Sequence, residues 1–447
     1  MRPLLVYDGD CGFCRGWIRR WQRALGERVA LRPYQEVAAD HPEVPLSEFQ
    51  RAIHYFDADG ALHRGAEAVL RALANDPGQR WMLLAYQRVP LASSAAELVY
   101  STVAAHRDAA SRLQGLLIGP DPQRSEHRLV RRAFLMALAA VYLIAFVSLG
   151  RQLDGLIGSH GISPAAEWLA RAHEALGGED WLRLPTLFWI NAGDGTLRAA
   201  CGAGMALALA AAAGIAPRVT FALLWAIYLS FVSVGGVFLG YQWDALLLES
   251  GLLAIAFAPG GLRPSWRAGQ GPSRVILWLL RWLLFRLMFL SGASKLLSGD
   301  PTWSSLTALD YHYWTQPLPH ALSYWAHQLP PWFQRTSVVV MLAIELGAPF
   351  MIFAPRRLRC AAAAAFAALL LAIMATGNYG FFEPLALALC LTLLDDRALV
   401  ALIPRRLRPA PAPRRVGPGG CPPGPPTDPD VRDSRIRLVE AKVRYGR

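Results

Sequence analysis

The sequence has 447 residues, of which 54% are apolar and only 17% are charged. Soluble domains carry about a quarter charged residues, so a purely soluble enzyme and a disordered scaffold are both disfavoured. Six cysteines are too few for a disulfide framework in a chain this long. The net charge of +12 comes from arginine, since Lys295 and Lys442 are the only lysines. In a membrane protein such an excess of arginine indicates how the chain is oriented in the bilayer. The sequence has no basic patch interleaved with aromatic residues, which is the pattern that would suggest nucleic-acid binding.

Residues 1–115 are predicted to form a small soluble α/β domain. An amphipathic helix follows the first short apolar run, and Phe13, Trp17 and Trp21 fall on one of its stripes. The turn at 57–60 separates two further short runs, as in a β-hairpin. The predicted order is strand 4–7, the amphipathic helix, strand 29–32, hairpin 52–63 and helices 65–74, 79–87 and 93–114. This order is typical of a thioredoxin-like α/β unit.

Cys11 and Cys14 form a CxxC pair where the first strand ends and the helix begins. The amino end of a helix stabilises a thiolate, so Cys11 is the candidate nucleophile and Cys14 the resolving thiol. Arg15 adds favourable charge, whereas Asp8 and Asp10, which complete the candidate site, oppose it. Three other interpretations stay open: half a zinc site, two inert buried thiols, and a phosphatase-type DxD motif.

The strings VYDGDCGFC at 6–14 and GAEA at 65–68 resemble the DCC family of thiol-disulfide oxidoreductase-like proteins. The resemblance covers about residues 3–112 and is most specific at the DGDCxxC string. It implies that Cys11 attacks a disulfide and that Cys14 resolves the mixed disulfide.

From Arg131 onward the sequence predicts an all-α polytopic membrane bundle with about eight spans. Some of the apolar stretches are shorter than the ~20 residues of an upright span. The stretches are 133–149, 198–216, 219–240, 243–258, 275–297, 336–354, 360–376 and 380–394. The predicted domains are thus the thioredoxin-like domain 1–115, a basic linker 116–132, the transmembrane domain 133–403 and a disordered tail 404–447 rich in Pro, Gly and Arg.

Arginine alternates along the chain with the predicted spans. Clusters at 128–132, 263–274, 356–359 and 397–408 follow or precede spans on one side, whereas the loop 298–335 holds only Arg335. By the positive-inside rule, both termini are expected in the cytoplasm of a bacterium, with the protein in the inner membrane. The long loops 150–197 and 298–335 are then expected outside.

Residues 130–404 resemble the lipase maturation factor family. The matching segments are QLDGLIG at 152–158, YQWDALLLE at 241–249, LDYHYWTQP at 309–317, APRRLR at 354–359 and TGNY at 376–379. The resemblance implies a membrane-embedded assembly factor that helps secreted lipases reach an active fold. The family's eukaryotic members carry a further soluble domain after the last span, where this sequence has the Pro-rich tail.

Several ionisable residues fall within or beside the predicted spans. A charge in lipid is expensive, so such groups usually face one another or a wet cavity. The candidate polar pocket consists of Lys295, Glu249, Asp244, Glu345, Asp310 and His312. GASKL at 292–296 also looks like the segment that carries the proposed lysine base of vitamin K-dependent carboxylase. Lys295 is therefore interpreted in three ways: a snorkelling or structurally paired residue, a member of a shared pocket, or a catalytic base.

The leading functional expectation is a membrane protein that assists the maturation of an exported, lipase-like client by thiol–disulfide exchange. It requires the lipid bilayer, the client and a cytoplasmic or membrane redox partner, and neither a metal nor another cofactor. One alternative is a membrane enzyme that binds a lipid-soluble, quinone-like substrate near Lys295. Another is a non-enzymatic, chaperone-like scaffold. The aromatic residues of loop 298–335 fit either an interfacial belt or a client-binding surface.

Overall fold

The computed structural model of the chain describes residues 2–117, 126–177, 180–264 and 271–402. The predicted tail 404–447 lies outside the described residues, as do residues 118–125 of the predicted linker. The described residues begin with a small mixed sheet and continue as a helical bundle. This arrangement confirms the predicted fold class.

The N-terminal sheet contains strands β1 (Leu4–Tyr7), β2 (Ala30–Pro33), β3 (His54–Phe56) and β4 (Leu62–Arg64). Their spatial order is β2-β1-β3-β4, with β1 parallel to β2 and both other pairs antiparallel. Leu5 aligns with Leu31 on β2 and with Tyr55 on β3. A parallel strand–helix–strand unit followed by a hairpin and a helix is the thioredoxin-like topology expected from the sequence.

Helices α1 and α4 pack on one face of this sheet, and α2 and α3 pack on the other. The helices of the domain are α1 (Gly12–Leu25), α2 (Tyr34–Val37), α3 (Leu46–Arg51), α4 (Gly65–Ala74), α5 (Arg80–Arg88), α6 (Ala92–Ala105) and α7 (Arg107–Leu117). Successive strand residues point to opposite faces. Leu5 therefore packs with Ile18 of α1 in one core cluster, whereas Val6 packs with Phe49 of α3 in another. The predicted helix 93–114 is interrupted at His106, where α6 ends and α7 begins.

The remaining described helices belong to the bundle and its loops. They are α8 (Arg128–Ile157), α9 (Ala165–Leu176), α10 (Asp180–Arg183), α11 (Asp194–Ala212), α12 (Pro217–Gly235), α13 (Gln242–Phe257), α14 (Arg274–Leu297), α15 (Pro301–Ser304), α16 (Ala308–Thr315), α17 (Ala321–His327), α18 (Pro331–Gly347), α19 (Arg356–Thr376), α20 (Phe382–Cys390) and α21 (Asp396–Leu402). Short 3-10 segments at Gly236–Phe238, Ala348–Phe353 and Leu391–Leu393 extend α12, α18 and α20.

Each of the eight predicted apolar stretches forms a helix. Six helices among the described residues are long and apolar enough to cross a membrane: α8, α11, α12, α14, α18 and α19. The other two, α13 with 16 residues and α20 with 9, fall below the ~20 residues of an upright span. The bundle is therefore that of an integral membrane protein, and about eight is an approximate count of its spans.

The bundle packs around its first helix. Phe134, Leu138, Tyr142 and Phe146 of α8 are fully buried in one large apolar cluster. The neighbouring α11 lies so close that the thiol of its buried Cys201 donates a hydrogen bond to the carbonyl of Phe146 at 3.1 Å. Small side chains at such contacts let membrane helices approach closely.

The carboxylate of Asp396, in the first turn of α21, caps the amino end of α8. It accepts hydrogen bonds from the backbone N–H groups of Arg128 at 2.9 Å and Val130 at 3.0 Å. The Asp396 N–H in turn donates to the carbonyl of Glu126 at 2.9 Å. The first N–H groups of a helix have no partner within the helix, so this contact satisfies them. It joins the start of the bundle to its last described helix.

Candidate functional site

The CxxC pair lies at the junction of β1 and α1, as its sequence context predicts. Cys11 is the residue that precedes the helix, and its sulfur accepts a hydrogen bond from the Cys14 N–H at 3.4 Å. Both thiols are free and partly exposed. The first turn of α1 contains no acidic residue, so the positive end of the helix dipole is not neutralised from within. This position favours a reactive sulfur at Cys11.

The second cysteine of the pair is in a different environment. Burial, and after it the hydrogen bond to Cys11, raises the pKa of the Cys14 thiol to about 12. Cys14 is therefore a neutral thiol at physiological pH and a poor nucleophile on its own. The two cysteines are thus chemically distinct, as an attacking and a resolving thiol need to be.

Two residues that the sequence analysis did not single out, Gln35 and Arg107, hold the loop before Cys11. Gln35 accepts a hydrogen bond from the Gly9 N–H at 3.1 Å and donates to the Asp10 carboxylate at 3.1 Å. A Cβ on Gly9 would lie 2.8 Å from the Cβ of Pro33, so this approach requires glycine. Gln35 lies in α2, two residues after β2, and the loop directly follows β1. The parallel pairing of β1 and β2 therefore brings Gln35 and the loop to the same edge of the sheet.

Arg107, the first residue of α7, lies beside Asp8. Its guanidinium is 3.3 Å from the Asp8 carboxylate and also donates to the carbonyls of Gln50 at 3.0 Å and Arg51 at 2.7 Å. The negative charge of Asp8, expected to oppose a thiolate, is therefore matched by a cation. Arg107 is 99 residues from Asp8 in the chain, and no local pattern in the sequence marks the contact.

Metal ligands do not cluster in the described part of the chain. Within residues 2–117, 126–177, 180–264 and 271–402, no three or more His, Cys, Asp or Glu side chains lie together as a metal site. Cys11 and Cys14 have neither a second cysteine pair nor a histidine pair beside them in these ranges. The zinc interpretation of the pair therefore has no set of ligands there.

Lys295 pairs with Glu345, one of the partners predicted for it. The Lys295 ammonium donates to both oxygens of the Glu345 carboxylate, at 2.7 and 2.8 Å, and to the Ser291 hydroxyl at 3.2 Å. The side chains of Lys295 and Glu345 are 20% and 3% exposed. The ring of Trp303 lies 5.6 Å from the ammonium and adds a cation–π contact.

The close approach of two helices makes this pair possible. A Cβ on Gly292 of α14 would lie 2.9 Å from the Cβ of Glu345 on α18. Glycine at this position lets the two backbones come together, as small residues do between membrane helices. Glu345 consequently reaches the ammonium of Lys295, which lies almost one turn beyond Gly292.

The other members of the predicted polar pocket lie in separate contacts. Glu249 of α13 forms an ion pair with Arg286 of α14. Asp244 is buried and accepts hydrogen bonds from the Tyr228 hydroxyl at 2.5 Å and the Tyr241 N–H at 3.1 Å. Among the described contacts, Glu249 and Asp244 are thus paired with residues other than Lys295.

His312 and Asp310 both lie on α16, in the second predicted outer loop. His312 bonds to the Tyr379 hydroxyl at 3.0 Å through its Nε2, and the two rings stack with centroids 6.4 Å apart. Burial lowers the pKa of His312, and the charge of Lys295 lowers it further. The Asp310 carboxylate is half-buried and forms no hydrogen bond or ion pair with any residue that the structure describes.

The same loop is anchored by a residue whose role the sequence analysis missed. Gln316 is 6% exposed and donates a hydrogen bond to the carbonyl of Thr376, at the end of α19, at 2.8 Å. Ser323 of α17 donates to the same carbonyl at 2.6 Å. Gln316 falls in the LDYHYWTQP string, so the signal was present, but the string alone does not reveal its partner.

The fold and the site together define a polytopic integral membrane protein with a thioredoxin-like domain that carries a CxxC pair. The DCC1-like thiol-disulfide oxidoreductase family matches residues 5–113. The lipase maturation factor transmembrane domain family matches residues 129–401, more than half of the chain. The chain belongs to the lipase maturation factor family.

Relatives with established names match this membrane region. Lipase maturation factor 2 of Xenopus laevis is 45% identical over 284 residues, which are 61% of this chain and 40% of that protein. The Homo sapiens protein of the same name is 43% identical over 292 residues, or 61% and 41% of the two chains. Lipase maturation factor 1 of Bos taurus is 34% identical over 284 residues, or 62% and 50%.

These matches cover only part of the relatives. The chain spans about two fifths of the length of the lipase maturation factor 2 proteins that it matches. No solved structure matches the chain significantly. The family membership therefore rests on the membrane domain, and these matches do not assign the activities of the whole relatives to this chain.

Proposed function

We propose that this protein assists the maturation of an exported protein by thiol–disulfide exchange at Cys11 and Cys14. The observation that carries the proposal is the position of Cys11 at the amino end of α1, with the Cys14 N–H donating to its sulfur at 3.4 Å. Unpaired N–H groups and the helix dipole stabilise a thiolate there. The match of residues 5–113 to a family of thiol-disulfide oxidoreductases supports the same chemistry.

The exchange proceeds in two displacements. The Cys11 thiolate attacks one sulfur of a target disulfide, forms a mixed disulfide and releases the other target sulfur as a thiolate. Cys14 then gives up its proton and attacks the Cys11 sulfur, which frees the second target thiol and leaves an internal disulfide. The raised pKa of Cys14 makes this second step dependent on a proton acceptor. Gln35 and Arg107 position the loop that precedes Cys11, through Gly9 and Asp8 respectively.

A lipase is the proposed client. The supporting observations are the family of the membrane domain and the names of the relatives that match it, lipase maturation factors 1 and 2. We assign the exchange reaction to a domain of residues 1–115 and client handling to residues 133–403. The exposed aromatic residues of the second outer loop, Trp314, Tyr324, Trp325 and Trp332, suit either a client surface or an interfacial belt.

We further propose that the protein lies in a bacterial inner membrane with both termini in the cytoplasm. The alternation of arginine clusters with the spans supports this orientation. It places the CxxC pair in a reducing compartment, whereas the disulfides of an exported client form outside. Either electrons cross the membrane domain, or the pair acts on another cytoplasmic partner.

For Lys295 we propose structural pairing rather than catalysis. Its ammonium donates to both oxygens of a buried carboxylate, which is the geometry of an ion pair between two helices. The paired residues connect α14 to α18, the two helices that approach at Gly292. A membrane enzyme that uses Lys295 as a base would need this pair to open.

Trapping with a Cys14→Ser variant tests the exchange reaction. Without the resolving thiol, the mixed disulfide on Cys11 is expected to accumulate and to be recovered with its target under non-reducing conditions. The matched control is Cys11→Ser, which retains Cys14 but lacks the attacking sulfur and should trap nothing. Equal recovery of targets by both variants, or by neither, would contradict the proposal.

A further inference from the structure

An apolar cavity of about 560 Å³ opens beside the CxxC pair, within the N-terminal domain. It lies between α1, α4 and α6, and the Cys14 side chain forms part of its wall. Small-molecule sites in proteins have volumes of roughly 300–1,000 Å³ and are lined mainly by apolar and aromatic side chains with a few polar groups. In size and lining, this cavity matches such a site.

Aromatic rings from α1 form one side of the cavity. Phe13, Trp17 and Trp21 lie one turn apart, with ring centroids separated by 6.3 and 5.8 Å along the series. Val69 and Leu70 of α4 contribute to the wall as well. Apolar area left in water costs roughly 25 cal/mol per Å², so such a surface is best explained by an apolar occupant.

The two charged residues of the lining lie at the end of the cavity near Cys14, since the charges of both act on its thiol. Arg107 and Asp8 both line it, and their charges are paired at 3.3 Å. The Tyr100 hydroxyl also lines the cavity and accepts a hydrogen bond from the Ile53 N–H at 2.8 Å. Because the two formal charges cancel, this end suits an uncharged polar head better than a carboxylate or a phosphate.

We propose that the cavity binds a lipophilic quinone, which accepts electrons from the Cys11–Cys14 dithiol. The inference rests on the thiol–disulfide exchange proposed above, run in the direction in which target thiols reduce the Cys11–Cys14 disulfide, and it names the acceptor of the electrons that the pair gains. A quinone combines a long apolar tail with an uncharged head that can be reduced, which are the properties that the wall and the polar end select. Its tail partitions into the bilayer that the attached membrane domain occupies.

The redox step balances between one dithiol and one quinone. The two S–H bonds break and one S–S bond forms between Cys11 and Cys14. The two electrons and two protons released pass to the quinone, whose carbonyl oxygens become the hydroxyl groups of a hydroquinone. The disulfide so formed is the species that a thiol-bearing client or partner would reduce again.

Purified full-length protein in detergent, with its thiols reduced, allows a direct test. Decyl-ubiquinone is added, its absorbance is followed, and the thiols are counted before and after. We expect one quinone reduced for each pair of thiols lost. The tail-less analogue ubiquinone-0 is expected to react at least about tenfold more slowly at the same low concentration, because it buries no methylene groups in the cavity.

Variants that fill the cavity supply the structural arm of the test. Ala96→Phe and Val103→Phe each place a ring in the cavity from α6. The control is Ala105→Phe, an exposed position on the same helix that does not line the cavity. For each protein, the rate with decyl-ubiquinone is divided by the rate with a water-soluble aromatic disulfide. We expect this ratio to fall at least about tenfold in the filled variants and to be unchanged in the control.

The outcomes separate this inference from the proposed function. If the soluble disulfide oxidises the thiols but decyl-ubiquinone does not, the quinone site is overturned and the exchange reaction stands. The quinone site is likewise overturned if the filled variants, shown to be folded by circular dichroism, keep the ratio of the control. If neither reagent oxidises the pair, the exchange reaction itself is wrong.

Discussion

At the scale of single residues, the two cysteines of the pair differ because the fold surrounds them differently. Cys11 stands at the tip of α1, whereas Cys14 is half-buried one turn later and its pKa is raised to about 12. The sequence reveals the pair and its place before a helix. It does not reveal the difference between the two thiols, which comes mainly from the burial of Cys14 in the folded domain.

This difference predicts how Cys14 responds to pH. In a Cys11→Ser variant, burial still disfavours the Cys14 thiolate, so its alkylation by iodoacetamide should rise about tenfold per pH unit up to pH 10. A thiol with the ordinary pKa of 9.0 levels off in this range. Mass spectrometry of the Cys14 peptide gives the rate, and a synthetic peptide of residues 8–17 with the same substitution is the control. If the alkylation rate of the folded protein levels off at the same pH as that of the peptide, the prediction is wrong.

Lys295 and Glu345 yield a prediction about stability. Lys295→Ala leaves the Glu345 carboxylate buried without its cation, and breaking such a pair costs about 3–5 kcal/mol of unfolding free energy. Lys295→Met combined with Glu345→Leu removes both charges and should recover most of that loss. Thermal unfolding in detergent gives the comparison. A Lys295→Ala protein as stable as the parent would show that the pair is not structural.

At the scale of elements, the contact between α14 and α18 depends on Gly292. Gly292→Ala introduces a methyl group 2.9 Å from the Cβ of Glu345, and overpacking of this kind costs about 1–3 kcal/mol. Gly202→Ala, on α11, is the matched control because no atom lies within 4 Å of the new methyl group. The control should be neutral or stabilising by up to about 1 kcal/mol. Equal thermal transitions for the two variants would contradict the close approach.

Local elements were predicted well from the sequence, and long-range partners were not. The four strands, the helix after Cys11 and all eight apolar stretches follow from hydrophobic periodicity and turn residues, which act over a few positions. The break at His106 and the shortness of α20 depend on neighbouring elements. Partners such as Gln35 with Gly9, or Arg286 with Glu249, are set by tertiary packing between residues far apart in the chain, which the local pattern does not reveal.

At the scale of the whole molecule, a double variant distinguishes a redox protein from a scaffold. Cys11→Ser with Cys14→Ser should abolish most of the secretion of active client lipase, because no other cysteine in the described residues lies at the site. Membrane insertion and protein level should be unchanged, and immunoblotting of membranes controls for both. Full secretion of active lipase in this variant would favour the chaperone-like scaffold.

The orientation of the whole chain is open to a direct test. Alkaline phosphatase fused after residue 402 should be inactive, and the same enzyme inserted near residue 318, in the second outer loop, should be active. A fluorescent protein that folds only in the cytoplasm should give the reverse pattern at the two sites. Active phosphatase after residue 402 would place the carboxyl end of the bundle outside and overturn the proposed topology.

The contact between Asp396 and the amino end of α8 bears on the order of assembly during synthesis. The N–H groups of Arg128 and Val130 leave the ribosome more than two hundred residues before the carboxylate that accepts their hydrogen bonds. Until then water at the membrane surface has to solvate them, which holds the start of the first span at the interface. The contact between α21 and the start of α8 thus forms only when translation nears its end. A nascent chain that stops before Asp396 cannot form it.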